Sequence, residues 1–281
     1  RDNAIPTNIN TRTRVIAVGS GKGGVGKSTI STNLAVGLEN LGFTTGLLDA
    51  DIWGFSIPRL LGIEGRLEAN KDKKIVPYKR GGLEVVSTGL ITDDEDTALM
   101  WRGLMLSKAL EQFLFDVEWG NLDYLIIDLP PGTGDIQMAL GRLLPQTELV
   151  VVTTPQLSAQ KVATRVADMA KRSFIPLLGV VENMSYFESG DGNKYNIFGE
   201  GGGNELSQKF GIPLLSKIPI SEDSIEESEN GTPILLQKNK TPTKEAMQDL
   251  VNKIIKVLPP VSDETCTGRL AKVLEELEVE A

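Results

Sequence analysis

The chain of 281 residues contains no histidine and only one cysteine, Cys266. Without histidine, neither a histidine-based catalytic triad nor a histidine-ligated metal site can be built. A single cysteine excludes an intrachain disulfide, which favours a reducing compartment. No hydrophobic run approaches the ~20 residues of a membrane span, and we recognise no signal-peptide pattern. The sequence is therefore expected to be that of a cytoplasmic protein.

Basic residues are outnumbered by acidic ones. The chain has 29 basic and 38 acidic residues, a net charge of −9 and a pI near 4.8. The long-range field of such a chain repels nucleic acid and anionic membranes. No run of lysine or arginine suggests a local basic patch, so we expect neither nucleic acid nor membrane among the partners.

Residues 15–29 contain the most informative motif, V-I-A-V-G-S-G-K-G-G-V-G-K-S-T. An apolar, mostly β-branched run predicts a buried strand. After the glycines, apolar residues recur at helical spacing at Ile30, Leu34, Leu38 and Leu41. A strand, a glycine loop and a helix form the context that the phosphate-binding pattern G-x-x-x-x-G-K-[ST] requires, and residues 21–28 match that pattern in full.

Each residue type in this motif has a physical reason. Glycines let the backbone turn its N–H groups towards phosphates, and the opening of the helix adds the positive end of its dipole. Lys27 can reach the β- and γ-phosphates, and the Ser28 hydroxyl can bind Mg²⁺. The predicted nucleotide-binding residues of the loop are Gly21, Lys22, Gly23, Gly24, Val25, Gly26, Lys27, Ser28 and Thr29.

Two carboxylates follow predicted strands. Asp128 comes directly after Leu125-Ile126-Ile127, the form of a Walker B site, and Asp51 follows the second strand. Because the carboxyl ends of parallel strands meet at one edge of a sheet, both should lie beside the glycine loop. Ser28, Asp51 and Asp128 are the predicted Mg²⁺ residues. The alternatives are a capping or loop aspartate at 128 and a solvated one at 51.

The order of elements predicts the fold class. Apolar strands alternate with helices, which favours an α/β fold: a single P-loop NTPase domain with a mostly parallel β-sheet and helices on both faces. The expected division is a tail at 1–13, the ATPase domain at 14–258, and a linker with a short acidic helix at 259–281. Ser158 is expected to be the N-cap of a helix that ends near Arg172.

The resemblance to a family is specific. Lys22, a second lysine inside the loop, resembles the deviant Walker A motif of MinD, ParA and Mrp ATPases. Six strings appear in the order of the Mrp (ApbC/Nbp) family, over roughly residues 14–258. They are S-G-K-G-G-V-G-K-S-T, D-A-D-I-W-G-F-S-I-P, M-W-R-G, Y-L-I-I-D-L-P-P-G-T-G-D, V-V-E-N-M-S-Y-F and F-G-E-G-G-G. Members of this family are ATP-binding carriers of iron–sulfur clusters.

The resemblance implies a slow, Mg²⁺-dependent ATPase that acts as a homodimer and hands clusters to apo-proteins. It implies that Lys22 reaches the partner's nucleotide, that Lys27 contacts phosphate and that Asp51 orients the attacking water. It also implies that an amide at Gly132 meets the γ-phosphate and that Asn183 reads adenine. The alternatives are a solvated Lys22, a turn-forming Asn183, and a MinD/ParA-like positioning switch.

The chain departs from the family at the cysteines. In many members a Cys-x-x-Cys pair follows M-S-Y-F, and two such pairs in a homodimer supply four thiolates to a bridging cluster. Residues 188–194 read E-S-G-D-G-N-K instead. Two copies of Cys266 would bring two thiolates, short of the four that a cluster usually takes. A family ATPase that has lost cluster binding is therefore a further alternative.

Overall fold

The computed structural model describes residues 9–51, 54, 56–91, 106–132, 134–189, 192–221, 228 and 230–261. Its α-helices are α1 (Lys27–Asn40), α2 (Ile57–Leu61), α3 (Leu106–Phe115), α4 (Gly134–Leu143), α5 (Leu157–Arg172), α6 (Gly202–Phe210) and α7 (Pro242–Val257). Its strands are β1 (Arg14–Ser20), β2 (Thr45–Asp49), β3 (Tyr78–Arg80), β4 (Leu83–Ser87), β5 (Tyr124–Asp128), β6 (Thr147–Thr153), β7 (Leu177–Glu182), β8 (Phe187–Glu188), β9 (Lys194–Tyr195) and β10 (Leu214–Lys217).

Eight of these strands form one sheet, in the order β10-β7-β6-β1-β5-β2-β4-β3. Every neighbouring pair is parallel except β3 and β4, which pair antiparallel at the edge. Strands β8 and β9 form a separate hairpin. The predicted α/β fold with a mostly parallel sheet is confirmed.

The central strand β1 explains the two layers of helices. Val15 and Ala17 belong to one hydrophobic core, and Ile16 and Val18 belong to the other. Both faces of a parallel strand are thus covered, which is why its sequence is continuously apolar. One core is completed by residues of α3 to α6, such as Phe113, Leu140, Ala167 and Leu206. The other is completed by residues of α1 and α7, such as Ile30, Leu34, Leu250 and Ile254.

The strand register sets the position of the polar residues. Asp128 at the end of β5 pairs with Val18 of β1 on one side and with Asp49 of β2 on the other. The glycine loop leaves the sheet at the same edge, directly after β1. In open parallel sheets ligands bind at this carboxyl edge. The fold therefore brings the loop and both predicted carboxylate segments together.

Some sequence-based predictions lie outside the described residues. They include Cys266, the M-W-R-G string at 100–103 and the acidic helix that is predicted within residues 259–281. The proposed boundaries at 13/14 and 258/259 stay predictions. Within the part of the chain that the structure describes, no helix is long and apolar enough to cross a membrane.

Candidate nucleotide-binding site

The glycine loop contains positions at which a side chain larger than hydrogen would disturb the backbone or its neighbours. Gly24 and Gly26 have φ angles of 76° and 79°, in the left-handed region that favours glycine. A Cβ on Gly26 would lie 2.2 Å from Nδ2 of Asn183, and one on Gly21 would lie 2.3 Å from the backbone of Val162 in α5. The loop is therefore held between β7 and α5 at distances that only glycine permits.

Asn183 braces this loop. Its Nδ2 donates a 2.9 Å hydrogen bond to the carbonyl of Val25, and its own backbone N–H donates to Thr153. Asn183 follows Glu182, whose buried carboxylate accepts from the Ser185 hydroxyl at 2.6 Å and from the Gly203 amide. The end of β7 is thus fixed on both sides. The role of Asn183 in reading adenine stays a prediction, and Oδ1 is the acceptor that it has for such a contact.

Lys27, Ser28 and Asp128 meet beneath the loop. Nζ of Lys27 lies 2.7 Å from Oδ2 of Asp128, and the Ser28 hydroxyl donates to the same oxygen at 2.6 Å. Asp128 is fully buried and Lys27 is 6% exposed. Helix α1 begins at Lys27, so the first turn of the helix presents both donors to the end of β5.

Ser31 completes the surroundings of Asp128. Its hydroxyl donates to Oδ1 at 2.6 Å. Sequence reasoning missed this residue, although its position four residues after Lys27 places both on one face of α1. That spacing is the signal that could have identified it.

The second carboxylate segment lies beside the lysine. Oδ2 of Asp51 is 4.0 Å from Nζ of Lys27, and its backbone N–H donates to Oδ1 of Asp49 at 3.2 Å. Oδ2 of Asp49 accepts from the Ser87 hydroxyl at 2.9 Å. Burial, and then the charge of Asp128, raise the pKa of Asp49 to about 7, against the opposing effects of Ser87 and Lys27. Asp49 thus links Asp51 to the end of β4.

Lys22 contacts the start of α5. Its Nζ donates to Oε1 of Gln156 at 3.2 Å and to the Ser158 hydroxyl at 3.5 Å, both at the start of α5. The expected N-cap role of Ser158 is wrong. The N-cap is Gln156, and the helix runs from Leu157 to Arg172, because extended backbone at Gln156 already precedes the first helical residue.

A cavity of about 790 Å³ opens above the loop. Its wall includes the loop residues Lys22, Gly23, Gly24, Gly26, Lys27, Ser28 and Thr29, together with Asp51, Arg59, Pro130, Pro131 and Met184. Gly132 has a φ of 73°, and its N–H donates to the Ser20 carbonyl at 3.0 Å, which keeps the predicted phosphate-sensing turn against the loop. Arg59 of α2 was not identified from the sequence.

The donor set fits a magnesium-bound nucleotide. Hydroxyl and carboxylate oxygens, the ligands that Mg²⁺ prefers, converge at Ser28 and Asp128. A glycine loop and a lysine, which suit phosphate, line the cavity beside them. Among the described residues no group of three or more aspartate, glutamate, cysteine or histidine side chains is arranged to hold a metal ion by itself.

A parallel sheet whose central strand runs into this loop, with the lysine and serine against a strand-end aspartate, defines a P-loop NTPase. A family model described as "ParA: NUBPL iron-transfer P-loop NTPase" matches residues 11–255. The chain therefore belongs to the NUBPL iron-transfer P-loop NTPase family.

Curated relatives agree with this assignment. An iron–sulfur cluster carrier protein of Aquifex aeolicus is 48% identical over 224 residues, which cover 79% of this chain and 62% of the relative. A protein of the same name from Bacillus subtilis is 42% identical over 240 residues, covering 85% and 67%. The chain thus spans a little under two thirds of the length of the first relative, and about two thirds of the second.

Solved structures give the same picture. A nucleotide-binding protein in complex with ADP from Archaeoglobus fulgidus has a TM-score of 0.69 and 37% identity, covering 82% of this chain and 91% of that one. The septum site-determining protein MinD with Mg-ADP from Pyrococcus horikoshii has a TM-score of 0.67 and 21% identity, covering 90% and 100%. The likeness to MinD concerns the fold alone.

Proposed function

We propose that this chain binds ATP with Mg²⁺ in the cavity above the glycine loop and hydrolyses it slowly. The observation that carries the proposal is the meeting of Lys27, Ser28 and Asp128 beneath that loop, where Lys27 and Ser28 lie 2.7 Å and 2.6 Å from the same oxygen of Asp128. The ADP complex of the Archaeoglobus fulgidus structure supports a nucleotide as ligand.

Each residue has a proposed role. The loop amides and the Lys27 ammonium bind the phosphates, and Ser28 and Asp128 hold Mg²⁺. Bound Mg²⁺ would neutralise the charge that develops on the phosphate oxygens. Asp51, beside Lys27, orients the attacking water, and it also belongs to the proposed Mg²⁺ set. The Gly132 amide, which donates to the Ser20 carbonyl in the structure, would exchange that bond for one to the γ-phosphate.

We further propose that hydrolysis requires a homodimer. In the single chain, Lys22 lies against Gln156 and Ser158, at the rim of the cavity. Release from these neutral acceptors, at about 1.5–3 kcal/mol for a hydrogen bond that involves a charged group, would let it reach a partner's nucleotide. This requirement would make turnover slow and dependent on protein concentration.

The family supports a role in cluster delivery. The matching family model is described as iron-transfer, and the curated relatives are named iron–sulfur cluster carriers. We propose that ATP turnover changes the dimer and thereby drives transfer of an iron–sulfur cluster, the cargo, to an apo-protein in the cytoplasm. A chain with one cysteine also suits the alternative of a family ATPase whose own cluster binding has been lost.

ATP binding is tested by equilibrium titration of the purified chain, with Mg²⁺ and with excess EDTA, alongside Asp128→Asn. We expect tighter binding with Mg²⁺ in the unsubstituted chain only, because the neutral amide cannot replace the carboxylate. Equal affinities with and without Mg²⁺ in the unsubstituted chain would contradict the proposed metal site.

Cluster binding is tested by anaerobic reconstitution with iron and sulfide, followed by measurement of bound iron, bound sulfide and the visible spectrum. Cys266→Ser is the matched variant. A cluster near one per dimer that the variant loses would identify Cys266 as a ligand. Absence of a cluster in the unsubstituted chain would support the alternative of an ATPase whose part in delivery is indirect.

A further inference from the structure

Asp128 receives all its described side-chain hydrogen bonds from the first turns of α1. Oδ2 accepts from Lys27 and from Ser28, whereas Oδ1 accepts from Ser31. The two carboxylate oxygens thus have different partners. The two residues on Oδ2 line the cavity, and Ser31 is fully buried behind it.

The Ser31 hydroxyl has two acceptors within reach and one hydrogen to give. Oδ1 of Asp128 is 2.6 Å away, and the carbonyl of Lys27 is 3.1 Å away. A hydrogen bond to an ionised carboxylate is shorter and roughly twice as strong as one to a neutral carbonyl. The Ser31 hydroxyl therefore donates its hydrogen to Oδ1 of Asp128 and not to the Lys27 carbonyl of its own helix.

We propose that Ser31 is a positioning residue that holds the Asp128 carboxylate in its Mg²⁺-binding orientation. The inference rests on the proposed function, in which phosphate draws Lys27 away from Oδ2 and Mg²⁺ takes the Ser28 hydroxyl. Of the three described donors, Ser31 is the one that this exchange leaves in place. Without the Ser31 hydroxyl, the Asp128 carboxylate would have lost all three described donors and could rotate about its last side-chain bond.

A role of this kind acts on the metal and not on the phosphates. Hydrogen-bond partners that orient a metal ligand commonly contribute tenfold or more to metal affinity, although they never touch the ion. Ser31 does not line the cavity, so it cannot contact the nucleotide directly. Loss of the Ser31 hydroxyl should therefore weaken ATP binding only when Mg²⁺ is present.

The test compares Ser31→Ala and Ser31→Cys with Ser31→Thr. The first variant removes the donor, the second fills the same space with a weak donor, and the third restores a hydroxyl. Ser216→Ala is the matched control, because Ser216 is also buried and donates to a carbonyl, that of Ala246, but lies on β10. Thermal unfolding of each protein establishes that it is folded.

The measurements are the ATP dissociation constant in excess EDTA and the Mg²⁺ concentration at which ATP affinity reaches half its full gain. We expect the Mg²⁺ midpoint to rise about tenfold in the alanine and cysteine variants and to recover in the threonine variant. The dissociation constant in EDTA should stay unchanged, as should both quantities in Ser216→Ala.

An unchanged Mg²⁺ midpoint in both the alanine and the cysteine variant would overturn the inference and leave the proposed function intact. Equal weakening with and without Mg²⁺ would also overturn it, since a merely structural serine would act in that way. If the unsubstituted chain showed no Mg²⁺-dependent ATP binding, the proposed function would fail, and the inference would fail with it.

Discussion

Nζ of Lys27 and Oδ2 of Asp128 lie 2.7 Å apart, although 101 residues separate them in the chain. The phosphate-binding lysine and the metal-binding aspartate proposed here are thus each other's counter-ion. Both side chains are buried, so each charge would carry a large desolvation cost without its partner. Bound Mg²⁺ would pair with the Asp128 carboxylate, and bound phosphate would pair with the Lys27 ammonium. Each charge would then keep a partner of opposite sign.

The pair predicts that Lys27 supports the fold as well as the site. Lys27→Ala should lower the free energy of unfolding by about 3 kcal/mol, because it leaves a buried carboxylate without its cation. Lys253→Ala is the control, since Lys253 forms an exposed ion pair with Asp249 at 2.7 Å, and it should cost less than about 1 kcal/mol. Urea denaturation without nucleotide measures both. Equal losses in the two variants would show that the buried pair contributes nothing beyond a surface pair.

Lys22 should matter for turnover and not for affinity. Lys22→Ala should reduce phosphate release about 100-fold, without a measurable change in ATP affinity. This effect is smaller than that of a trans-acting arginine. The control is Lys161→Ala, an exposed lysine on the same helix that Lys22 contacts. If Lys22→Ala keeps its turnover while Lys27→Ala loses it, the partner-reaching role is wrong.

Two glycines of the loop form a matched pair. Gly26→Ala should destabilise the protein by about 2 kcal/mol and weaken ATP binding, because its φ is left-handed and its Cβ would displace the Asn183 amide. Gly23→Ala should stay within about 0.5 kcal/mol, since a Cβ there meets nothing within 4 Å. Unfolding and ATP titration are measured for both. A Gly26 variant that behaves like the Gly23 variant would refute this account of the loop.

Tyr124 predicts an alkaline limit to stability. Burial raises its pKa to about 12, from an ordinary value of 10.0. The unfolded chain therefore releases this proton first, and the stability that the neutral phenol provides below pH 10 is lost as pH rises towards 12. Tyr124→Phe removes that dependence. It also removes the 2.9 Å hydrogen bond to the Leu258 carbonyl, which costs about 1 kcal/mol near neutral pH.

The unsubstituted chain should thus exceed Tyr124→Phe in free energy of unfolding at neutral pH, and this difference should become smaller as pH rises from 10 towards 12. Urea denaturation at several pH values measures it, and Tyr78→Phe is the control because Tyr78 is 38% exposed. A gap that stays constant from neutral to alkaline pH would contradict the assignment.

The parts of the site that are contiguous in sequence could be predicted. Residues 21–28 match a complete motif between a strand and a helix, and Asp128 follows an apolar strand, so the amino-acid sequence alone places both at one sheet edge. The sheet follows from the same alternation of apolar strands and helices. These features depend on local pattern and on one general rule of parallel sheets.

The contacts that bind these parts together could not be predicted. Ser31 meets Asp128 across 97 residues, Ser87 meets Asp49 across 38, and Asn183 meets Val25 across 158. Such pairs depend on strand order and register, which a single sequence does not reveal. The error at Ser158 has a similar cause: its type suits an N-cap, but the chain is already helical there and the hydroxyl faces Lys22.

Phosphate release from ATP, measured over a range of protein concentrations with Mg²⁺ and with EDTA, decides whether this chain is a dimeric, Mg²⁺-dependent ATPase. Release should require Mg²⁺, should rise per protomer with concentration as dimers form, and should be lost in Asp128→Asn. Release no greater than that of Lys27→Ala at every concentration would contradict this function.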